Sequence, residues 1–220
     1  MVCLLVKNDL IYLNGSLVEN FYEIQYIRGD KRVVLLKNNL DEILNSKEME
    51  NGIKKYTYII QNVKECDVSQ NEKFQTMYNA FFRIGRKKEE YYKSYFKLLE
   101  LSKKQKLDFE DVLRYIYEKT GEYHCSFSSK LVAVLNPKEP IWDKEVATNH
   151  FGYKLPYYGV KNREKRIIDV FNQYRESFYD YTISDEGKNL INAFDKKFPI
   201  VNITDTKKVD FILWLDREKK

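Results

Sequence analysis

Ser126-Phe127-Ser128-Ser129-Lys130-Leu131-Val132-Ala133-Val134-Leu135-Asn136-Pro137-Lys138-Glu139-Pro140-Ile141-Trp142-Asp143 is the stretch on which the fold turns. Phe127, Leu131, Val134 and Leu135 recur at helical spacing, so its first half predicts a helix with one apolar face. Lys130 falls on that same face. It is the only charged residue between Cys125 and Pro137, in a chain that is 32% charged. Asn136-Pro137 ends the helix, because proline cannot continue it and restricts the residue before it. After a short turn with Pro140 near its end, a second helix is expected from Trp142 to about His150, with Asp143 at its start.

A lysine on an apolar helix face and a carboxylate at the start of the next helix have a shared chemical use. Burial of an ammonium ion costs several kcal/mol, so the amine's pKa falls instead. The positive end of the helix dipole pushes the same way. A partly neutral lysine attacks carbon and forms a Schiff base. A carboxylate beside it stabilises a developing cation or moves protons. The plainer alternatives are a lysine that snorkels its ammonium to water and an aspartate that serves only as an N-cap.

The segment resembles the catalytic segment of the helix-hairpin-helix DNA glycosylases, the superfamily of endonuclease III and the 8-oxoguanine DNA glycosylases. Ser-Phe-Ser-Ser-Lys-Leu with Asn-Pro and Pro-Ile-Trp-Asp is similar to a bacterial branch related to the latter, over roughly Phe74 to the C-terminus. The resemblance implies that Lys130 is the nucleophile, Asp143 its carboxylate partner, duplex DNA the partner molecule, and that no metal or organic cofactor is required. Two departures stand out. The family hairpin usually reads Gly-Val-Gly before the lysine, to let backbone amides reach a DNA phosphate. Here that contact falls to Ser126, Ser128 and Ser129, with Lys207 as a further DNA-binding candidate. The lysine-to-aspartate gap, 143 − 130 = 13 residues, is several residues shorter than in well-known members.

The bulk composition is compatible with this. A hydrophobic share of 43% supports a real core, and 18 tyrosines with 13 phenylalanines make it unusually aromatic. A net charge of +5 permits nucleic-acid binding without demanding it. The three cysteines, Cys3, Cys66 and Cys125, are widely spaced and read as reduced thiols of a cytoplasmic protein. No pair has metal-ligand spacing, and His124 beside Cys125 is the only hint of one. No apolar run approaches a membrane span. A monomer is expected.

Residues 1–67 read as an N-terminal accessory lobe and 68–220 as the helical glycosylase-like domain, so the expected class is mostly α with a small lobe that can hold short strands. In the lobe, runs at Val2–Val6 and Arg32–Leu36 have strand character. Asn14-Gly15 signals a hairpin turn. Against it, Ser16-Leu17-Val18-Glu19 forms a capping-box pattern, and the preferred reading is a helix toward Ile27. Asn38 to about Glu48 is expected to be helical. The stretch from Gly52 to Val63 is either helical or, by alternation of Tyr56, Tyr58 and Ile60, a strand.

From Asn71 the pattern is steadily helical. Phe74, Met77, Tyr78 and Phe81 share a face, Gly85 marks a break, and the next helix carries Tyr91, Tyr95, Leu98 and Leu99 behind a basic Arg86-Lys87-Lys88. Asp108 caps a helix bearing Phe109, Val112, Leu113 and Ile116, which Thr120-Gly121 ends. That helix, a Gly121–Ser126 turn and the Lys130 helix form the expected hairpin pair. The tyrosine-rich loop Tyr153–Gly159 stacks on bases or is pinned to the core. Long helices follow from Arg163 to Ile183 and from Ser184 or Asp185. In the last segment Val209, Ile212 and Leu213 face the core, while Asp210 and Trp214 share another face. In the 8-oxoguanine glycosylases the C-terminal helix lends an aromatic ring and a polar group to the flipped-base pocket. By location that resemblance points to Asp210, Phe211 and Trp214. A catalytically silent nucleic-acid-binding module and a protein-interaction module are the alternatives.

Overall fold

Cooperative burial of aromatic helices organises the chain after residue 35. The structure, a computed structural model, describes residues 4–7, 10–13, 16–17, 34 and 36–217. Two units separate between Leu35 and Leu36. The first holds three short strands, β1 (Leu4–Lys7), β2 (Leu10–Leu13) and β3 (Ser16–Leu17), in an antiparallel meander of order β1-β2-β3. Leu13 pairs with Ser16; the turn expected at Asn14-Gly15 lies outside the described residues. The preferred helix from Ser16 is corrected at Ser16 and Leu17, which are extended and pair with β2. The remainder of that helix lies outside the described residues.

The second unit is helical: α1 (Leu40–Leu44), α2 (Lys47–Asn62), α3 (Glu72–Phe82), α4 (Glu89–Gln105), α5 (Phe109–Thr120), α6 (Cys125–Leu135), a π-helical segment (Lys144–His150), α7 (Arg163–Ile183), α8 (Asp185–Lys197) and α9 (Asp205–Leu215). The boundary expected after Asp67 is corrected: α1 and α2 belong to the helical unit. The helix foreseen over Asn38–Glu48 is split, because the Ser46 hydroxyl accepts from Met49 N at 3.1 Å and caps a new helix. The tyrosine alternation in α2 belongs to a helix, in which Tyr56 is buried and Tyr58 half-buried. Leu36 is in no strand.

Local signals set the helix ends elsewhere. Asp108 and Asp111 form a reciprocal capping box at the start of α5, and Gly121 ends it at φ 72°, a left-handed conformation that favours glycine. The hairpin turn is shorter than expected, since α6 already begins at Cys125. Ser184 caps α8 by accepting from Gly187 N at 3.1 Å.

Two helices are buried almost all round, as a helix deep in a core must be. Ser128 to Val134 of α6 are buried, and so are Thr206 to Leu213 of α9. Phe74, Tyr78, Phe96, Leu99, Val112 and Leu131 form part of one apolar cluster beside α6. Asp216 lies just past α9 and is fully buried. Its carboxylate accepts from Lys37 N, Asn38 N and Asn38 Nδ2, each at 2.7 Å, and so ties the first residues of this unit to its last helix. Among the described residues no helix is long and apolar enough to cross a membrane.

Gly187 is the tightest backbone approach in the unit among the described residues. A Cβ there would sit 2.1 Å from the Tyr181 carbonyl oxygen, far inside contact distance. Gly187→Ala should lower the unfolding free energy in urea by about 3 kcal/mol, the upper range of overpacking costs, despite a helix-propensity gain of about 1 kcal/mol. A variant as stable as the parent would refute that packing.

A candidate active-site cleft

The connection between α6 and the π-helical segment brings Lys130 and Asp143 into one cleft. Ser129 and Trp142, their immediate neighbours, share a hydrogen bond: Trp142 N donates to Ser129 Oγ at 2.9 Å. Tyr174 of α7 donates its hydroxyl to Ile141 O at 2.9 Å and holds the same loop from the other side. Asp143 caps the π-helical segment, accepting from Glu145 N at 2.9 Å through Oδ1. The cleft, about 420 Å³ including its open mouth, is lined by Lys130, Asp143, Ile141, the end of α3 and four residues of α9.

Lys130 is 6% exposed. Its Nζ donates to Phe82 O at 3.0 Å and lies 5.6 Å from the Phe127 ring centre. Burial pulls the amine below its ordinary value, with the Asp143 and Asp210 carboxylates opposing and the Lys207 and Arg83 cations assisting. This is the direction a nucleophilic amine needs.

The opposite wall comes from α9. Lys207 and Asp210 form a buried ion pair at 2.5 Å. The Lys207 ammonium lies 4.9 Å from the Tyr56 ring centre, 5.3 Å from Phe81 and 4.8 Å from Phe211, a three-ring surround that favours a cation. Burial raises the Asp210 carboxyl, while Lys207 holds it down. Gly52 of α2 admits Phe211, since a Cβ at that position would come 2.9 Å from the ring. Trp214 is approached by two guanidinium groups, Arg83 at 4.5 Å and Arg217 at 4.3 Å.

Of the residues singled out from sequence, Lys130, Asp143, Asp210, Phe211 and Trp214 all line this cleft. Lys207 lines it too, but as the buried partner of Asp210, which corrects its expected place on a DNA backbone. Ser128 and Ser129 are fully buried, so direct phosphate contact by their hydroxyls is also corrected. The Ser128 hydroxyl donates to His124 O at 3.1 Å, and that of Ser129 donates to Ser126 O at 3.0 Å. Ser126 is half-buried in the first turn of α6.

Phe81, Phe82, Arg83 and Ile141 also line the cleft and were not singled out for it. Lys87 of the basic cluster lies over two rings, 5.4 Å from Tyr91 and 5.7 Å from Phe127. The tyrosine loop divides: Tyr153 is pinned to Ser177 Oγ at 2.7 Å, whereas Tyr157 and Tyr158 are 86% and 76% exposed. Among the described residues no three His, Cys, Asp or Glu side chains gather as metal ligands.

No protein-family model, no curated protein and no solved structure matches the chain.

The lowered Lys130 pKa has a stability consequence. The folded state releases its proton below the unfolded value of about 10.5, so stability rises with pH between the folded and the unfolded pKa. Lys130→Met should raise stability at pH 7 by about 1–2 kcal/mol, and the gain should shrink toward pH 10. Thermal melts at the two pH values check this, and a pH-independent gain would contradict it.

Proposed function

We propose that the chain is a DNA glycosylase, working in the cytoplasm as a monomer on duplex DNA, that removes a damaged or modified base. One observation carries the reading: a buried amine of lowered pKa and a carboxylate share a cleft whose facing wall is aromatic and ion-paired. The target nucleotide would leave the base stack first, because its sugar carbon is out of reach inside the duplex. Phe211 and Trp214 supply apolar surface for the extruded base, and the Asp210–Lys207 pair supplies an acceptor and a donor for its edge.

The neutral Lys130 Nζ then attacks C1′. The N–C1′ bond forms as the glycosidic bond breaks, and the base departs with the bonding pair, neutralised by a proton. Asp143 stabilises the positive charge that develops on the sugar and accepts the proton shed by the amine. Opening of the sugar ring gives a Schiff base. Loss of a C2′ proton from it expels the 3′ phosphate, and hydrolysis returns the free lysine.

A second reading has its own observation. The Lys130 amine already donates to Phe82 O and is nearly inaccessible. That suits a catalytically silent nucleic-acid-binding module in which Lys130 is a structural hydrogen-bond donor.

Borohydride trapping separates the two. Duplex oligonucleotides bearing an abasic site, 8-oxoguanine or a hypermodified cytosine are incubated with the protein and reduced. The glycosylase reading expects a covalent adduct that vanishes in Lys130→Gln and forms about 100-fold more slowly in Asp143→Asn. No adduct with any substrate, together with salt-sensitive binding retained by both variants, would give the silent module.

A further inference from the structure

Arg83 and Arg217 are held against one indole. Their guanidinium centres lie 4.5 Å and 4.3 Å from the Trp214 ring centre, and neither forms an ion pair among the described residues. Arg217 Nη1 is shielded from solvent and has no hydrogen-bond partner there. Arg83 ends α3 in the left-handed region at φ 54°, a conformation that a side chain disfavours. Burial, followed by repulsion from Arg83, pulls the Arg217 pKa down, with the Glu145, Asp143 and Glu48 carboxylates opposing. Like charges, a strained backbone and an unsatisfied donor at one place each cost free energy. An oxyanion bound at these guanidiniums would offset the repulsion and satisfy the open N–H.

We propose that Arg83 and Arg217, both packed against Trp214, form a phosphate-binding site at the edge of the Lys130–Asp143 cleft. Guanidinium forks match phosphate oxygens two at a time, and the indole keeps the planar groups in position. Arg83 and Trp214 both line the cleft, so the phosphate belongs to the molecule that enters it. The site rests on the arginine geometry, and it stands whether or not Lys130 performs chemistry. Its ligand is a phosphodiester of a nucleic-acid strand or a free phosphate ester.

The test measures binding of the full chain and its Lys130→Gln variant to a duplex carrying a tetrahydrofuran abasic analogue. Deoxynucleoside monophosphate serves as the small probe. Arg83→Gln and Arg217→Gln should each weaken binding by about tenfold and lower the salt slope by about one, with or without Lys130. Arg217→Lys, which keeps the charge and loses the fork, should fall between. If the phosphate is strand-borne, one methylphosphonate linkage beside the analogue weakens the parent equally and adds nothing in the double arginine variant. If it is a free ester, the monophosphate binds in an arginine-dependent way while a methylphosphonate scan is flat. Either result supports the site. The proposal is overturned if the folded double variant, checked by its melting curve, binds both probes like the parent with the same salt slope. It is equally overturned if the parent binds neither probe at low salt. Loss of the trapped adduct with arginine-dependent binding intact would remove the glycosylase reading alone.

Discussion

A charged side chain in the middle of a buried helix is the constraint around which the cleft is arranged. Seven consecutive residues of α6, Ser128 to Val134, are out of water, and Lys130 is among them. An ammonium ion there must find carbonyl, carboxylate or aromatic partners, or lose its proton. The fold supplies the Phe82 carbonyl from α3, the Phe127 ring from α6 itself, and the more distant carboxylates of Asp143 and Asp210. The end of α3, the α6 to π-helix connection and α9 converge on that amine for this reason. α9 repeats the problem with Lys207 and solves it with Asp210 and three rings.

Much of this convergence was legible in the sequence because it rests on local codes. The Asp108 capping box, the Gly121 stop, the Asn136-Pro137 break and the Asp143 cap all act within four residues. The placement of Lys130 on an apolar face needed only the helical period. That Asp210, Phe211 and Trp214 share the cleft with Lys130 was reached through a family resemblance and not through any local code. Arg83 shows what escapes such reading. Nothing near it in sequence says that its guanidinium will meet Trp214, which is far along the chain on another helix. Lys207 escaped for a related reason. A lysine three places after a cap normally reaches water, and only the depth at which α9 is buried reverses that expectation.

The N-terminal segment exposes a different limit. Ser16-Leu17-Val18-Glu19 carries a helix-start pattern, and Asn14-Gly15 carries a hairpin signal, so two local codes compete over neighbouring residues. A turn that requires positive φ at its centre accepts few residue pairs, and Asn-Gly is the best of them. A capping box is a commoner accident. The pairing of Leu13 with Ser16 goes with the rarer signal and against the helix. Rarity of the matching sequence is a physical weight, since it measures how many alternatives the conformation excludes. The tyrosine alternation in α2 was the weaker signal by the same measure, because aromatic residues are tolerated on both faces of a half-buried helix.

The bond from Trp142 N to Ser129 Oγ joins the residue before Asp143 to the residue before Lys130. Amine and carboxylate are thereby carried on a single mechanical unit, a short rigid bracket closed by one hydroxyl. The rest of the lining comes from α9 and the end of α3, outside that bracket. The width of the cleft and the spacing of amine and carboxylate are thus set by different contacts, and a change in one need not disturb the other.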